Sequence, residues 1–160
     1  MNALVIYDSF FGNTEKIAQA IGEALGEQME VEVQKVGDVQ PEQLDGLDLL
    51  VVGAPTRAFR PSPDVSRFLK SLPADSLKGV KAAAFDTRIL EEDVNSRVFR
   101  FLVKYFGYAA KPIAQMLRKK GADVAVDPEG FCVEDTEGPL KEGELERAAA
   151  WAKQIMAAIL

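Results

Sequence analysis

The sequence predicts an α/β domain built on a doubly wound parallel sheet of five strands, with helices on both faces. Short apolar runs of strand length alternate with segments of helical period along the chain, the pattern of a parallel sheet covered on both faces. The two longest mostly apolar runs, at 47–54 and 80–85, have the length of strands. The 160 residues suit one domain, 1–160, with one hydrophobic core.

The first part of the chain predicts a strand, a helix and a second strand. Ala3–Tyr7 is the first strand, and the helix Asn13–Leu25 follows it and stops at Gly26. Glu30–Val36 alternates imperfectly, which favours a strand at the edge of the sheet. The residues expected on the buried face of the helix are Ile17, Ala18, Ile21 and Leu25.

The middle of the chain repeats this alternation. Asp48–Ala54 and Val80–Phe85 have the composition of buried strands. Between them Ser62 is placed to cap a helix, Pro63 suits its first turn, and Asp64 complements the helix dipole. The inner face of this helix is expected to consist of Val65, Phe68, Leu69 and Leu72.

The last third predicts three helical segments and an interrupted strand. Apolar residues recur at helical spacing from Glu91 to Phe106, and a further helix, Ala109–Lys120, is ended by Gly121. The fifth strand is expected in two pieces, Asp123–Val126 and Phe131–Glu134, interrupted at Asp127-Pro128. The final helix carries one apolar stripe, formed by Leu145, Ala148, Ala149, Ala152, Ile155, Met156 and Ile159.

Composition excludes several classes of site and partner. The chain has no histidine, so it cannot contain a Ser-His-Asp or Cys-His system or a His-ligated zinc. The single cysteine, Cys132, is expected to be a buried apolar filler and fits a cytoplasmic protein. A net charge of −6 argues against nucleic acid and favours basic protein partners, although an acidic excess of this size is also common in ordinary soluble proteins. No apolar stretch is long enough to span a membrane, and the N-terminus does not resemble a signal peptide.

The loop after the first strand, 8–14, is the first candidate binding site. Ligands of doubly wound sheets bind beyond the carboxyl ends of the strands, and this loop leads directly into a helix whose first amides can bind phosphate. Ser9, Asn13 and Thr14 add polar side chains, and Gly12 allows a close backbone approach. Neither a nucleoside triphosphate P-loop nor a dinucleotide fingerprint is present. The alternative is that Asn13 or Thr14 merely caps an ordinary helix.

The stretch Val5–Ile21 resembles the signature of the flavodoxin family. All specified positions are met, by Val5, Ile6, Tyr7, Ser9, Gly12, Thr14, Ala18 and Ile21. Val51–Thr56 resembles the third strand of the family with its loop. Tyr105–Gly107, and the end of the next helix at Lys119–Ala122, resemble its fourth helix. The resemblance covers nearly the whole chain.

The resemblance implies the strand order 2-1-3-4-5 and flavin mononucleotide (FMN) as cofactor. The first loop would hold the phosphate, Pro55–Arg60 would lie along one face of the flavin ring, and a loop starting at Asp86 would lie along another edge. The implied cofactor-binding residues are Ser9, Phe10, Phe11, Gly12, Asn13, Thr14, Pro55, Thr56, Arg57, Ala58, Phe59, Arg60, Asp86, Thr87 and Arg88. No catalytic residue and no metal ligand is implied.

The two ring loops depart from the family pattern, which commonly stacks the flavin between Trp and Tyr. Phe59 is the only aromatic candidate in the first loop, and it could instead be a hydrophobic plug beneath it. Arg57, Arg60 and Arg88 would favour a reduced, anionic flavin by Coulomb attraction, which predicts a higher potential than is typical of flavodoxins. Alternatively, these arginines form only a solvated rim.

Three functions remain open at this stage. The leading hypothesis is an FMN-binding redox protein that carries electrons between partner proteins. The second is an FMN-dependent NAD(P)H:quinone oxidoreductase, in which Arg57 or Arg88 binds an anionic substrate. The third is a binding module that has lost the flavin. The segment 91–105 is a lid, a docking face or an extra helix packed on the sheet.

Overall fold

The computed structural model describes residues 1–57, 59–90 and 96–160, and in the helix 97–106 it describes only the backbone of residues 99 and 103–106. The sheet contains β1 (Asn2–Tyr7), β2 (Glu30–Lys35), β3 (Leu49–Pro55), β4 (Lys81–Arg88), β5 (Asp123–Val124) and β6 (Glu129–Cys132). The strands are all parallel, in the order β2-β1-β3-β4, and β5 and β6 both pair with the free side of β4. The predicted order 2-1-3-4-5 is therefore confirmed, with β2 at the edge.

The fifth position of the sheet is occupied by two short pieces of chain. Asp123 pairs with Lys81 at the start of β4, and Gly130 pairs with Asp86 near its end. The predicted interruption is confirmed, although the second piece begins at Glu129 instead of Phe131. Cys132 ends this piece and is only partly buried, and burial raises the pKa of its thiol.

The described residues form five α-helices: α1 (Asn13–Leu25), α2 (Pro63–Ser71), α3 (Arg97–Phe106), α4 (Ala110–Lys119) and α5 (Glu144–Ile159). Two short 3₁₀ turns, Val36–Asp38 and Pro41–Leu44, lie between β2 and β3. The helices α1 and α5 pack on one face, and α2 and α4 pack on the other. The predicted buried faces of α1 and α2 are confirmed, with Phe68 partly buried.

The core on the α1/α5 face contains an aromatic trio. The rings of Phe85, Phe131 and Trp151 meet edge to face, with centroids 6.1–6.2 Å apart. A Cβ on Gly53 would come within 2.0 Å of the Phe85 ring, so this trio requires a glycine in β3. The predicted stripe of α5 omits Trp151, which is 3% exposed, and wrongly includes Leu145, which is 43% exposed.

Two local predictions are wrong. Asp86, Thr87 and Arg88 do not begin a loop, because β4 continues through them in register with β3 and β6. Ser62 stands at the N-cap position of α2, but its hydroxyl makes no cap hydrogen bond and is buried without a partner among the described residues. Its backbone carbonyl alone serves the first turn, by accepting a hydrogen bond from the Ser66 amide.

The helix α3 lies within the segment 91–106 that the sequence singles out. Val98 and Phe101 are 68% and 64% exposed, so these two side chains do not pack on the sheet. The interpretation as an extra helix packed on the sheet stays a prediction, because the side chains of residues 99 and 103–106 are not described. Residues 91–95 lie outside the described part of the chain, and the lid and docking hypotheses for 91–105 stay predictions. Among the described helices, none is long and apolar enough to cross a membrane.

Candidate functional site

The candidate site lies beyond the carboxyl ends of β1, β3 and β4, where doubly wound sheets bind their ligands. Three segments converge there from different parts of the sequence: the loop 8–12, the end of β3 with Thr56 and Arg57, and the end of β4. A fourth segment, 133–138, follows β6 and closes the site from the side. The ends of the strands therefore form the floor and one wall of the site, and loops form the other walls.

The first loop turns sharply into α1. The Gly12 amide donates to the Ser9 hydroxyl (3.0 Å), and Gly12 adopts φ = +89°, a conformation that favours glycine. Gly12 is the N-cap residue, so neither Asn13 nor Thr14 caps the helix, and the capping alternative is wrong. The amides of the first turn, Asn13–Glu15, donate to no described acceptor, which leaves a cradle of donors for an anion.

The side chains of the first helical turn are fixed by distant segments. The buried hydroxyl of Thr14 lies 2.8 Å from the Thr87 hydroxyl at the end of β4. Asn13 Nδ2 donates to the carbonyl oxygen of Glu137 (3.1 Å). The opening of α1 is thus held against both β4 and the 133–138 segment, which pre-organises its donors.

The second wall joins aromatic and cationic groups. The Arg57 guanidinium lies 4.7 Å from the centroid of the exposed Phe10 ring, and none of the described carboxylates pairs with it. Arg57 and Arg60 exchange two backbone hydrogen bonds of 2.9 Å. Thr56 Oγ1 accepts a hydrogen bond from the Ala109 amide, which ties this wall to the start of α4.

The third wall contains a buried ion pair. Asp86 is fully buried and accepts hydrogen bonds of 2.7 Å from both Nε and Nη2 of Arg88, and one of 2.8 Å from the Ala110 amide. Arg88 also stacks on Tyr108, 3.9 Å from the ring centroid. Burial raises the pKa of Asp86 even against this pairing. Burial alone would lower the pKa of Arg88, but the hydrogen bonds and charge of the Asp86 carboxylate outweigh burial and raise it.

These walls enclose a narrow cavity of about 90 Å³. Of the residues implied by the resemblance, the cavity brings together Ser9, Phe10, Phe11, Asn13, Thr14, Pro55, Thr56, Arg57, Thr87 and Arg88. It does not include Gly12, Asp86, Phe59 or Arg60. Phe59 and Arg60 instead line a groove between α2 and α4, and Ala58 lies outside the described residues. Contact of any of these residues with a flavin stays a prediction.

Four residues of the site were missed by sequence reasoning. Ile89, Val133 and Thr136 also line the cavity, and Tyr108 stacks on Arg88. Ile89 could have been found, since it continues a strand that already carried three candidates. Val133, Thr136 and Tyr108 reach the site only through tertiary packing, and no local pattern signals them.

Comparison with known proteins decides the family. The family described as "Flavodoxin domain" matches residues 4–128, well over half of the chain. The chain belongs to the flavodoxin family. It is a flavodoxin-like, flavin-binding redox protein, as the resemblance predicted. A search of curated proteins finds no match.

Solved structures share the fold along the whole chain. An archaeal flavodoxin has 23% identity and a TM-score of 0.78, with 99% of each chain covered. Flavodoxin 1 from Bacillus cereus has 21% identity and a TM-score of 0.77, with both chains fully covered. Rubredoxin oxygen:oxidoreductase from Desulfovibrio gigas has 19% identity and a TM-score of 0.74, over 99% of this chain and 36% of that one.

The donor set of the first loop fits the phosphate of a flavin. Free amides at a helix start, two hydroxyls and a side-chain amide are neutral donors that suit a dianion without a neighbouring lysine. The cavity is smaller than the roughly 300–1,000 Å³ of typical ligand sites. Phe10 and Phe11 are 47% and 49% exposed, and Arg57 is exposed beside them, so this wall of the cavity faces solvent.

Proposed function

We propose that the protein binds FMN and carries electrons between partner proteins as a single domain, 1–160, in the cytoplasm. The observation that supports this most is the start of α1, where unpaired amides meet the buried Thr14–Thr87 hydroxyl pair. Bound FMN supplies one- and two-electron redox chemistry. This chain contributes binding and orientation: the first turn of α1 holds the phosphate, and the side chains of Phe10, Phe11 and Arg57 lie beside the ring.

The absence of histidine fits a carrier better than a catalyst, because no imidazole is available for proton transfer at neutral pH. The Asp86 carboxylate is fully buried and already accepts hydrogen bonds from Arg88 and Ala110. A carboxylate held in this way positions its neighbours and has no free oxygen facing the cavity side of β4. An electron carrier needs neither an acid nor a base.

A second function is favoured by Arg57. Its guanidinium is exposed, lies on the cavity and has no carboxylate partner among the described residues. A cation in this position would bind an anionic group of NAD(P)H or a quinone beside the flavin. The position of Arg57 therefore supports an FMN-dependent NAD(P)H:quinone oxidoreductase as the second candidate function.

Absorption and fluorescence titrations with FMN test the proposal. We expect the protein to quench FMN fluorescence, and Thr14→Val to weaken binding roughly 10- to 100-fold, because a hydrogen bond to a charged group contributes about 1.5–3 kcal/mol. Ser71→Ala is the matched control, since Ser71 bonds only to its own helix, at the Phe68 carbonyl. Rapid NAD(P)H oxidation with a quinone would favour the enzyme. A colourless protein that ignores FMN would overturn both functions and leave the binding module.

A further inference from the structure

The charges of this protein are divided between two regions of opposite sign. Residues 57–120 carry 14 Lys and Arg and 6 Asp and Glu, a net charge of +8. Residues 1–56 carry 2 Lys and Arg and 10 Asp and Glu, and residues 121–160 carry 3 Lys and Arg and 9 Asp and Glu. Together these two segments have a net charge of −14. The overall charge of −6 therefore hides a strongly basic region, which contains α2, α3 and α4.

The basic region includes an open groove of about 840 Å³ between α2 and α4. Arg60, Lys70 and Lys119 line it, and none of the described carboxylates pairs with them. None of the described residues that line it is acidic. The nearby carboxylate of Asp64 is already paired with Arg67, at 2.9 Å.

The groove also offers apolar contact surface. Phe59, Pro61, Pro63, Pro112 and Met116 form its apolar lining. Phe59 adopts φ = +65°, which is uncommon for a residue with a large side chain and characteristic of functional loops. An apolar centre with a charged rim is the composition of a protein-docking surface.

The groove lies directly beside the candidate flavin site. The described residues of the segment 57–60 border both, with Arg57 on the cavity and Phe59 and Arg60 on the groove. Arg57 and Arg60 are joined by two backbone hydrogen bonds, so a partner that binds the groove contacts the same turn that borders the cavity.

We propose that the α2–α4 groove is the docking site of an acidic redox partner protein. This inference rests on the proposed function for its redox part, and it reverses the expectation from net charge that partners are basic. The cations steer an acidic surface to this face, and the apolar lining then makes contact with it. The acidic α1/α5 face repels the same partner and so sets its orientation.

Nuclear magnetic resonance mapping with polyglutamate tests the surface without any flavin. We expect chemical-shift changes confined to the loop 57–61, α2 and α4, and at least a tenfold loss of affinity in Lys70→Glu/Lys119→Glu. Lys35→Glu/Lys153→Glu changes the total charge equally at exposed positions outside the groove, and it should retain binding. Shifts on α1 or α5, or equal losses in both double variants, would overturn the proposal.

Oxidation of the FMN-loaded, reduced protein tests the link to redox chemistry. We expect the rate with ferricyanide, an anion, to fall at least about tenfold between 20 and 200 mM salt, and the rate with hexaamminecobalt(III), a cation, to rise. Lys70→Glu/Lys119→Glu should abolish the salt dependence of the rate with ferricyanide, and Lys35→Glu/Lys153→Glu should retain it. A salt dependence unchanged in the groove variant would contradict docking beside the flavin. Failure to load FMN would refute the proposed function but leave the polyglutamate result standing.

Discussion

Arg88 holds the buried carboxylate of Asp86 through two parallel hydrogen bonds of 2.7 Å at the end of β4. Asp86 has no exposed surface, whereas the Arg88 side chain is 21% exposed towards the candidate site. The pair gives this wall of the cavity a fixed shape and nearly cancels the charge of Arg88. Of the three arginines for which the resemblance implies a position near the ring, Arg57 lies on the cavity and has no acidic partner among the described residues.

Replacing Arg88 should show how strongly its ion pair stabilises the buried Asp86 carboxylate. We expect Arg88→Met to lower the free energy of unfolding by about 3–5 kcal/mol at pH 7, because a buried carboxylate loses its counter-charge. The pKa of Asp86 then rises further. This carboxyl therefore takes up a proton in the folded protein at a pH where the same carboxyl is still ionised in the unfolded chain. Urea unfolding should therefore show stability recovering as the pH falls from 7 towards 5.

Two controls accompany the Arg88 variant. Asp86→Asn/Arg88→Met should regain most of the loss, because no buried charge remains. Arg67→Met removes an arginine from the exposed pair with Asp64 and should cost less than about 1 kcal/mol. A loss in Arg88→Met that does not vary with pH would contradict the role assigned to the pair.

Gly130 provides the space that Arg88 occupies. A Cβ at this position would come within 2.0 Å of Arg88 Nε, and the guanidinium cannot shift without leaving Asp86. We expect Gly130→Ala to destabilise the protein by about 2–4 kcal/mol, measured by thermal or urea unfolding. Gly37→Ala, where no atom lies within 4 Å of the new Cβ, should change stability by no more than about 0.5 kcal/mol.

Glu144 should contribute to the acid sensitivity of the fold. Burial alone would raise its pKa, but hydrogen bonds from Arg147 and from the Cys132 amide outweigh burial and lower it. A lowered folded-state pKa gives stability that is present above the unfolded value of about 4.3 and is lost as the pH falls through the folded value.

We expect Glu144→Gln to lower the free energy of unfolding at pH 7 by about 1–3 kcal/mol and to flatten its decline below pH 4.5. Glu146→Gln, at an exposed position two residues along α5, is the control and should leave the pH profile unchanged. Parallel profiles for wild type and Glu144→Gln below pH 4.5 would show that Glu144 is not the titrating group.

Arg57 should tune the potential of a bound flavin. Arg57→Gln removes the unpaired cation and should lower the midpoint potential in a spectroelectrochemical titration. The effect should be equivalent to about 1 kcal/mol or less, because the side chain is exposed and screened. Arg67→Gln is the control and should not change the potential. An unchanged potential in Arg57→Gln, or a strongly negative wild-type potential, would refute the hypothesis that arginine raises it.

The sequence predicted the elements of this fold more fully than the site. The apolar stripes of α1 and α5 and the alternation of strands with helices are local patterns, so the sequence alone predicted the helix faces. The strand order followed only from the family resemblance. The loop 8–14 was also predicted from local sequence, because the end of one strand, one glycine and the start of one helix determine it. Trp151 was missed because its stripe was defined by aliphatic and small residues alone.

The remainder of the site depends on long-range register. Asp86–Arg88 were expected in a loop because the family resemblance implies a loop that starts at Asp86. They remain in the sheet because Glu129–Cys132 pairs with them in register. Val133 and Thr136 enter the cavity as a consequence of that same pairing. Phe59 lines the α2–α4 groove and has a left-handed backbone, a conformation that is uncommon for a large side chain and that no local pattern signals.

Calorimetric titration with FMN and with riboflavin tests most directly whether the start of α1 is a phosphate site. The two flavins share the ring and the ribityl chain and differ only in the phosphate. We predict that FMN binds at least about 100-fold more tightly, equivalent to some 2.7 kcal/mol, and that inorganic phosphate competes with it. Equal affinities for the two flavins, or no heat with either, would contradict this account.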